Sequence, residues 1–328
     1  MSMLHPFLAQ RGFTCETPPL TEFVNHFTRL SRVGESSMLC YGEPRFGKST
    51  ANKYLREKLI ENKKMVPLWA AVDPPPKVRV NKNEFWRLFR IAKDDAYAPA
   101  DYNKSPYRVL LNRTRILAEE YGTERVFIGI DEAQNLNVDR YADLKRFTEE
   151  LIDLKLSPFV LIMAQPSILV RVADLKKRGH HDIVDRFHTR DFRFRGLRLE
   201  EFPAVLQYID AVRWPGETGP SYTEYFVPRL WKGGWRLAAQ APAFTSAFQS
   251  QFRNLSAASG EVGMKFLVVA ARLLLTSLEE DESRWANGAE SLLRTCVAEC
   301  GYREFMVSVG GAERAARSTL AARKASHD

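Results

Sequence analysis

Apolar positions in this chain follow two regimes that change over near Leu197. Before that point, short unbroken apolar runs alternate with stretches whose apolar residues recur every three or four positions. This is the pattern of strands buried on both faces and separated by helices. The strand-like runs begin at Ser37, cover Met65 to Val72, Arg125 to Asp131 and Pro158 to Ala164, and end with Asp191 to Phe194. Helices are predicted over Thr21 to Arg32, about Ser49 to Glu61, about Asn83 to Ile91, Tyr107 to Tyr121, Asp139 to Lys155, and a segment ending at Phe187. In the first of these Phe23, Phe27 and Leu30 share a face, Thr21 is the expected cap, and Gly34 ends it as Gly122 ends the fourth. Asp73-Pro-Pro-Pro76 closes the second strand, because proline cannot continue a ladder. In the last strand the alternation places Phe192 and Phe194 inward and Arg193 and Arg195 outward.

Beyond Leu197 helical patterns dominate, over Glu200 to Arg213, Trp231 to Ser256, Val262 to Leu278 and Ala289 to Gly301, with glycine- and proline-bearing turns between them. The pattern as a whole predicts an α/β fold with a parallel sheet, followed by a smaller all-helical domain. The expected divisions are a lead-in and helix at 1–34, the α/β domain at 35–197, the helical domain at 198–309 and a basic, flexible tail at 310–328.

Composition changes the picture little. The chain has 328 residues, 45% of them apolar, enough for two cores. Its net charge of +8 permits an anionic partner without requiring one. Cys15, Cys40, Cys296 and Cys300 form no C-x-x-C pair and no histidine joins them at metal-ligand spacing, so Mg²⁺ is the one metal the sequence suggests. The N-terminal residues lack a signal-peptide pattern, and Val262 to Leu278, which carries Lys265 and Arg272, is too short and charged to span a bilayer. A cytoplasmic protein without a membrane anchor is expected.

Two motifs carry the chemistry. Gly42-Glu43-Pro44-Arg45-Phe46-Gly47-Lys48-Ser49-Thr50 fits G-x-x-x-x-G-K-S/T between a strand and a helix. The glycines permit backbone angles that turn N–H groups toward a polyphosphate, Lys48 reaches the β- and γ-phosphates, Ser49 offers a hydroxyl to Mg²⁺, and the following helix points its positive end at the same place. The second motif is the strand ending in Asp131 and Glu132: Asp131 would hold Mg²⁺ through its water shell, and Glu132 would deprotonate the attacking water. ATP with Mg²⁺ is the ligand this pairing suggests.

Three further positions have two readings each. Gln165, at the end of the neighbouring strand, is either a γ-phosphate sensor or an ordinary strand cap. Arg186, in a stretch from Lys176 to Arg198 with eight basic residues against three aspartates, is either a finger reaching a neighbouring subunit's γ-phosphate or part of a solvated basic edge. Lys265, in Ser259-Gly-Glu-Val-Gly263-Met-Lys265, reaches the phosphates or merely follows a helix cap.

In order and spacing these pieces resemble AAA+ ATPases of the initiator type over about residues 20 to 275. Within that class the run Ile130-Asp-Glu-Ala-Gln-Asn-Leu136 and the Ser-Gly-x-x-Gly turn are similar to the transposition regulators called TnsC or TniB. Gln165 stands where Asn or Thr is common and Lys265 where Arg is common, which loses the bidentate fork. The resemblance implies a RecA-like sheet with a helical lid. It also implies ATP-bound subunits assembled as a ring or filament on double-stranded DNA, linking a target-selector protein to the transposase until hydrolysis dissolves the assembly. DNA contacts would come from Lys77, Arg79 and Lys82 after the second strand, a stretch that reads equally as a solvated basic loop. The alternatives are a secretion ATPase of the ExeA type and an ATP-gated signalling scaffold that does not touch DNA.

Overall fold

The computed structural model describes residues 5–9, 14–72, 82–92, 94–95, 101, 103–252 and 260–308. The chain forms two compact units, one of Leu20–Arg195 and one of Met1–Pro19 with Gly196–Asp328.

The first unit is a sheet covered by helices. In chain order its elements are α1 (Pro18–Arg32), β1 (Ser37–Tyr41), α2 (Lys48–Asn62), β2 (Val66–Ala71), α3 (Lys82–Arg87), β3 (Arg90–Ile91), β4 (Asp94–Asp95), α4 (Pro106–Tyr121), β5 (Arg125–Asp131), α5 (Val138–Asp153), β6 (Ser157–Ala164), α6 (Ser167–Lys177), α7 (His181–Phe187) and β7 (Asp191–Arg193). The strands lie in the order β4-β3-β2-β5-β6-β1-β7. From β2 to β7 every pairing is parallel, while β3 and β4 add antiparallel at one edge. Val126, Phe127, Ile128 and Ile130 are fully buried, as central strands covered on both faces require. On one face α1 lays Phe27 edge-on against Phe127 and Phe159, at 5.7 and 5.0 Å between ring centres.

Three local expectations are corrected. Helix α1 begins at Pro18, not at a Thr21 cap, because prolines in a first turn lack only N–H groups that would have no intrahelical partner. The helix expected to reach Ile91 stops at Arg87, and Ile91 instead pairs with Leu68 and buries its side chain at the sheet edge. Arg195 does not point outward: it is buried and makes a two-pronged pair with Glu22, Nε to Oε2 at 3.0 Å and Nη2 to Oε1 at 2.6 Å. A buried guanidinium needs such a partner, which outweighs the strand's alternation.

The second unit contains β8 (Leu197–Arg198), α8 (Phe202–Ala211), α9 (Tyr222–Phe226), α10 (Pro228–Lys232), α11 (Ala241–Phe252), β9 (Glu261–Val262), α12 (Met264–Glu280) and α13 (Ser283–Glu299). It is not wholly helical, because β8 and β9 pair antiparallel and Glu261 accepts the Gly196 N–H at 3.2 Å. The single helix expected from Trp231 to Ser256 is broken: Gly234 is left-handed, and Asp210 accepts the Leu237 and Ala238 N–H groups that open the next turn. The last helix is kinked at Gly288, next to the expected Ala289 start. Phe7 is fully buried among Tyr222 and Phe226, and His5 lies within 5.0 Å of the Trp214, Tyr222, Tyr225 and Phe226 rings. All four cysteines are buried free thiols.

Candidate phosphate and water-activation site

The site is built where β1, β5 and β6 end side by side. β1 runs out at Tyr41 into the glycine loop, and α2 begins at Lys48. Gly47 has φ +112° and Arg45 has φ 68°, so the loop bends where left-handed backbone is needed. Gly42 is required for a different reason from the one expected. A Cβ there would lie 2.2 Å from the Phe194 carbonyl oxygen, so the residue is small to let β7's end pass, with the Phe194 N–H donating to Tyr41 O at 2.7 Å. Phe46 is buried and pins the loop, while Arg45, Ser49 and Thr50 are exposed and Glu43 and Pro44 are half-buried.

Lys48 is buried, and its ammonium donates to Gly42 O at 2.6 Å and Glu43 O at 2.9 Å. Burial holds its pKa below the ordinary lysine value, an effect opposed by Cys40, Glu132, Asp131 and Glu43. Asp131 is shifted the other way: burial raises its carboxyl, while hydrogen bonds from the Ser49 hydroxyl and the Glu132 N–H pull it down. A buried ammonium on loop carbonyls facing a carboxylate already joined to a serine hydroxyl suits a polyphosphate with its divalent cation. The donor set therefore fits nucleotide and Mg²⁺.

Glu132 follows with a left-handed backbone, φ 54° and ψ 36°, and opens a 3-10 turn, Ala133–Asn135. Its Oε2 accepts the Gln134 amide and, at 3.2 Å, the Gln165 amide. Gln165 thus meets Glu132, the residue expected to activate water, and Gln134 joins it there. Gln134 lay within the run Ile130 to Leu136, but spacing alone offers no sign that its side chain turns back on Glu132.

Arg186 stands elsewhere. Its carbonyl accepts from Ser37 Oγ at 2.6 Å, at the start of β1, and its guanidinium pairs with Glu149 at 2.8 Å. Lys265 is exposed in the first turn of α12, in the second unit. Lys77 and Arg79 lie outside the described residues. Lys82 opens α3, and its side chain is likewise undescribed. The arginines of α4 have acidic partners: Arg108 with Glu150 at 3.5 Å, Arg113 with Asp101 at 3.0 Å and Arg115 with Glu119 at 2.7 Å. Among the described residues no helix is long and apolar enough to cross a membrane, and no histidine, cysteine and acid cluster forms a metal site.

A parallel sheet with this loop after β1, two acids at the end of β5, one strand removed from β1 across β6, and a helical second unit defines a P-loop ATPase of AAA+ fold. Residues 31–170 match the family model described as AAA domain. Among solved structures, the ORC2 protein of Aeropyrum pernix in its ADPNP–ADP complexes is similar at TM-score 0.58 and 14% identity, over 90% of this chain and 71% of that one. The Aeropyrum pernix ORC1 protein in complex with DNA matches at TM-score 0.41 and 13% identity, over 90% of this chain and 80% of that one. At 14% identity the likeness to the ORC2 protein is one of fold. No curated protein sequence matches the chain.

Proposed function

We propose that this protein is an ATP-driven switch that assembles on duplex DNA and connects target-site selection to a transposase, with hydrolysis releasing the assembly. The observation that carries the ATP step is the convergence, at the C-terminal ends of β1 and β5, of Lys48, the Ser49–Asp131 pair and Glu132. The loop N–H groups and Lys48 take the phosphates, and Ser49 with Asp131 holds Mg²⁺, which neutralises charge on the phosphate oxygens when bound. Glu132 orients water and accepts its proton.

Assembly is supported by the position of Arg186. It lies at the start of β1, and the loop leaves at the other end of a five-residue strand, about 13 Å away at roughly 3.3 Å per residue. Arg186 therefore serves a neighbour's γ-phosphate, and the Glu149 pair holds it until then. The DNA and transposition parts rest on the resemblance of Ile130 to Leu136 and of the turn before Lys265 to transposition regulators, and on the net charge of +8. Gln165 and Lys265 act as the two sensors, and Lys77, Arg79 and Lys82 meet phosphates.

The test is ATP-dependent assembly with and without duplex DNA across a salt series, for wild type and a Lys77→Ala, Arg79→Ala, Lys82→Ala triple variant. Duplex-stimulated assembly is expected. The triple variant should flatten the log–log salt slope by roughly 0.9 per lost contact. Assembly with ATP that ignores duplex DNA would rule out the DNA-linked reading. Transposase recruitment is checked by whether the ATP-bound, DNA-bound assembly retains a transposase encoded beside it.

A further inference from the structure

We infer that Gln134 is a positioning residue for hydrolysis, selecting which oxygen of Glu132 receives the proton of water. The inference rests on the reading of Glu132 as the general base. The turn that carries Gln134 is held on every side. Ala133 is fully buried, Asn135 Nδ2 donates to Val72 O at 2.7 Å, and Arg171 of α6 donates from Nη1 to the Gln134 carbonyl at 2.7 Å. The Glu132 N–H is fixed on Asp131 Oδ1 at 3.0 Å.

The side-chain amide of Gln134 has its orientation set by its neighbours. Its Oε1 accepts the backbone N–H of Gln165 at 3.1 Å, and an N–H can be met only by the oxygen end of an amide. That leaves Nε2 to donate to Glu132 Oε2, where Gln165 Nε2 also donates at 3.2 Å. A carboxylate oxygen has two lone pairs in its plane, and two amide donors take both. Oε1 of Glu132 is the oxygen left to act. As the water oxygen bonds to the γ-phosphorus, the bond to the β,γ-bridging oxygen breaks with its electron pair leaving on ADP, and one water proton passes to Oε1. Removing the Gln134 donor lets the carboxylate turn about its last torsion, which affects the chemical step and leaves nucleotide binding alone.

The experiment compares the full-length Gln134→Glu, Gln134→Ala and Glu132→Gln variants, and the Glu132→Gln, Gln134→Ala double variant. It measures ATP turnover, KM and affinity for a non-hydrolysable ATP analogue. Gln134→Glu keeps the shape and the acceptor for the Gln165 N–H but sets a second carboxylate beside Glu132, whose repulsion adds to the lost donor, so a folded Gln134→Ala, which carries no charge, isolates the lost bond. Gln134→Glu and a folded Gln134→Ala should each lower kcat by on the order of tenfold, part of the contribution of a positioned base. KM and analogue affinity should stay within about twofold of wild type, too small a change for the lost turnover to reflect binding. In the Glu132→Gln background, Gln134→Ala should add nothing to the loss. Wild-type turnover by Gln134→Glu, or a loss of affinity alongside turnover, overturns the assignment, as does a further loss in the double variant. If Glu132→Gln itself turns over at the wild-type rate, the base reading falls and takes this role with it. If Glu132→Gln is inactive while Gln134→Glu is normal, only the positioning role falls.

Discussion

The two ends of β1 treat polar groups differently. At its C-terminal end, Lys48, Ser49, Asp131, Glu132, Gln134 and Gln165 are partnered almost wholly with one another and with loop backbone. At its N-terminal end, Arg186 and Arg190 form exposed pairs with Glu149 and Glu35, and His188 is buried with neither ring nitrogen hydrogen-bonded. Exposed ion pairs contribute little and exchange readily, so Glu149 can give up Arg186 at small cost, whereas the first group is locked in one arrangement. A preorganised cluster suits chemistry, and a loosely held arginine suits a contact made only on assembly.

The largest effects should separate the ends by function. Lys48→Ala is expected to abolish nucleotide binding, and Glu132→Gln to keep it while losing about 10²–10⁴ in turnover, read from affinity and ATPase assays on the same preparations. Equal losses of binding in both variants would erase the distinction within the cluster. Arg186→Ala should fold and bind nucleotide with a stability change under about 1 kcal/mol, yet lose turnover in assemblies. Mixed with Lys48→Ala subunits it should regain part of that activity. No recovery in mixtures shown to co-assemble would remove Arg186 from the shared site.

Gly42→Ala tests the close approach of Phe194 to the loop. With a Cβ 2.2 Å from a backbone oxygen, the variant should lose about 1–3 kcal/mol and weaken nucleotide binding, as followed by urea unfolding with and without nucleotide. Normal stability would show that β7 moves aside freely.

The smallest effect concerns the other end. Burial lowers the His188 pKa to about 4 from 6.5. The unfolded chain therefore binds a proton that the folded one refuses, and stability is full above pH 6.5 and falls as the pH drops toward 4. From pH 7 to pH 5 this amounts to about 2 kcal/mol. His188→Phe should shrink the pH dependence of the urea midpoint over that window, and an unchanged slope would assign the acid sensitivity to other groups.

A residue's role is legible in the sequence where it is set along the chain and hidden where it is set across it. The strand runs, the loop and the two acids were readable because backbone geometry and phosphate chemistry impose fixed local spacings. Thr21 misled because propensity for a cap ignores that prolines can open a helix. Ile91 misled because its fate was decided by pairing with Leu68, some twenty residues earlier in sequence. Arg195 went inward because Glu22, from α1, was waiting there.

The sequence alone determined that a strand-loop-helix phosphate site and a strand ending in two acids exist in one chain, since both motifs are contiguous and their chemistry follows from residue type. Tertiary structure decided the rest: that Gly42 is small on account of Phe194, that Gln134 and Gln165 meet on one oxygen of Glu132, and that Arg186 sits at the N-terminal end of β1 with its guanidinium on Glu149. Each of these depends on atoms brought together by sheet order and crossover direction, and a single strand's pattern of apolar and polar positions carries no record of which strand will lie beside it.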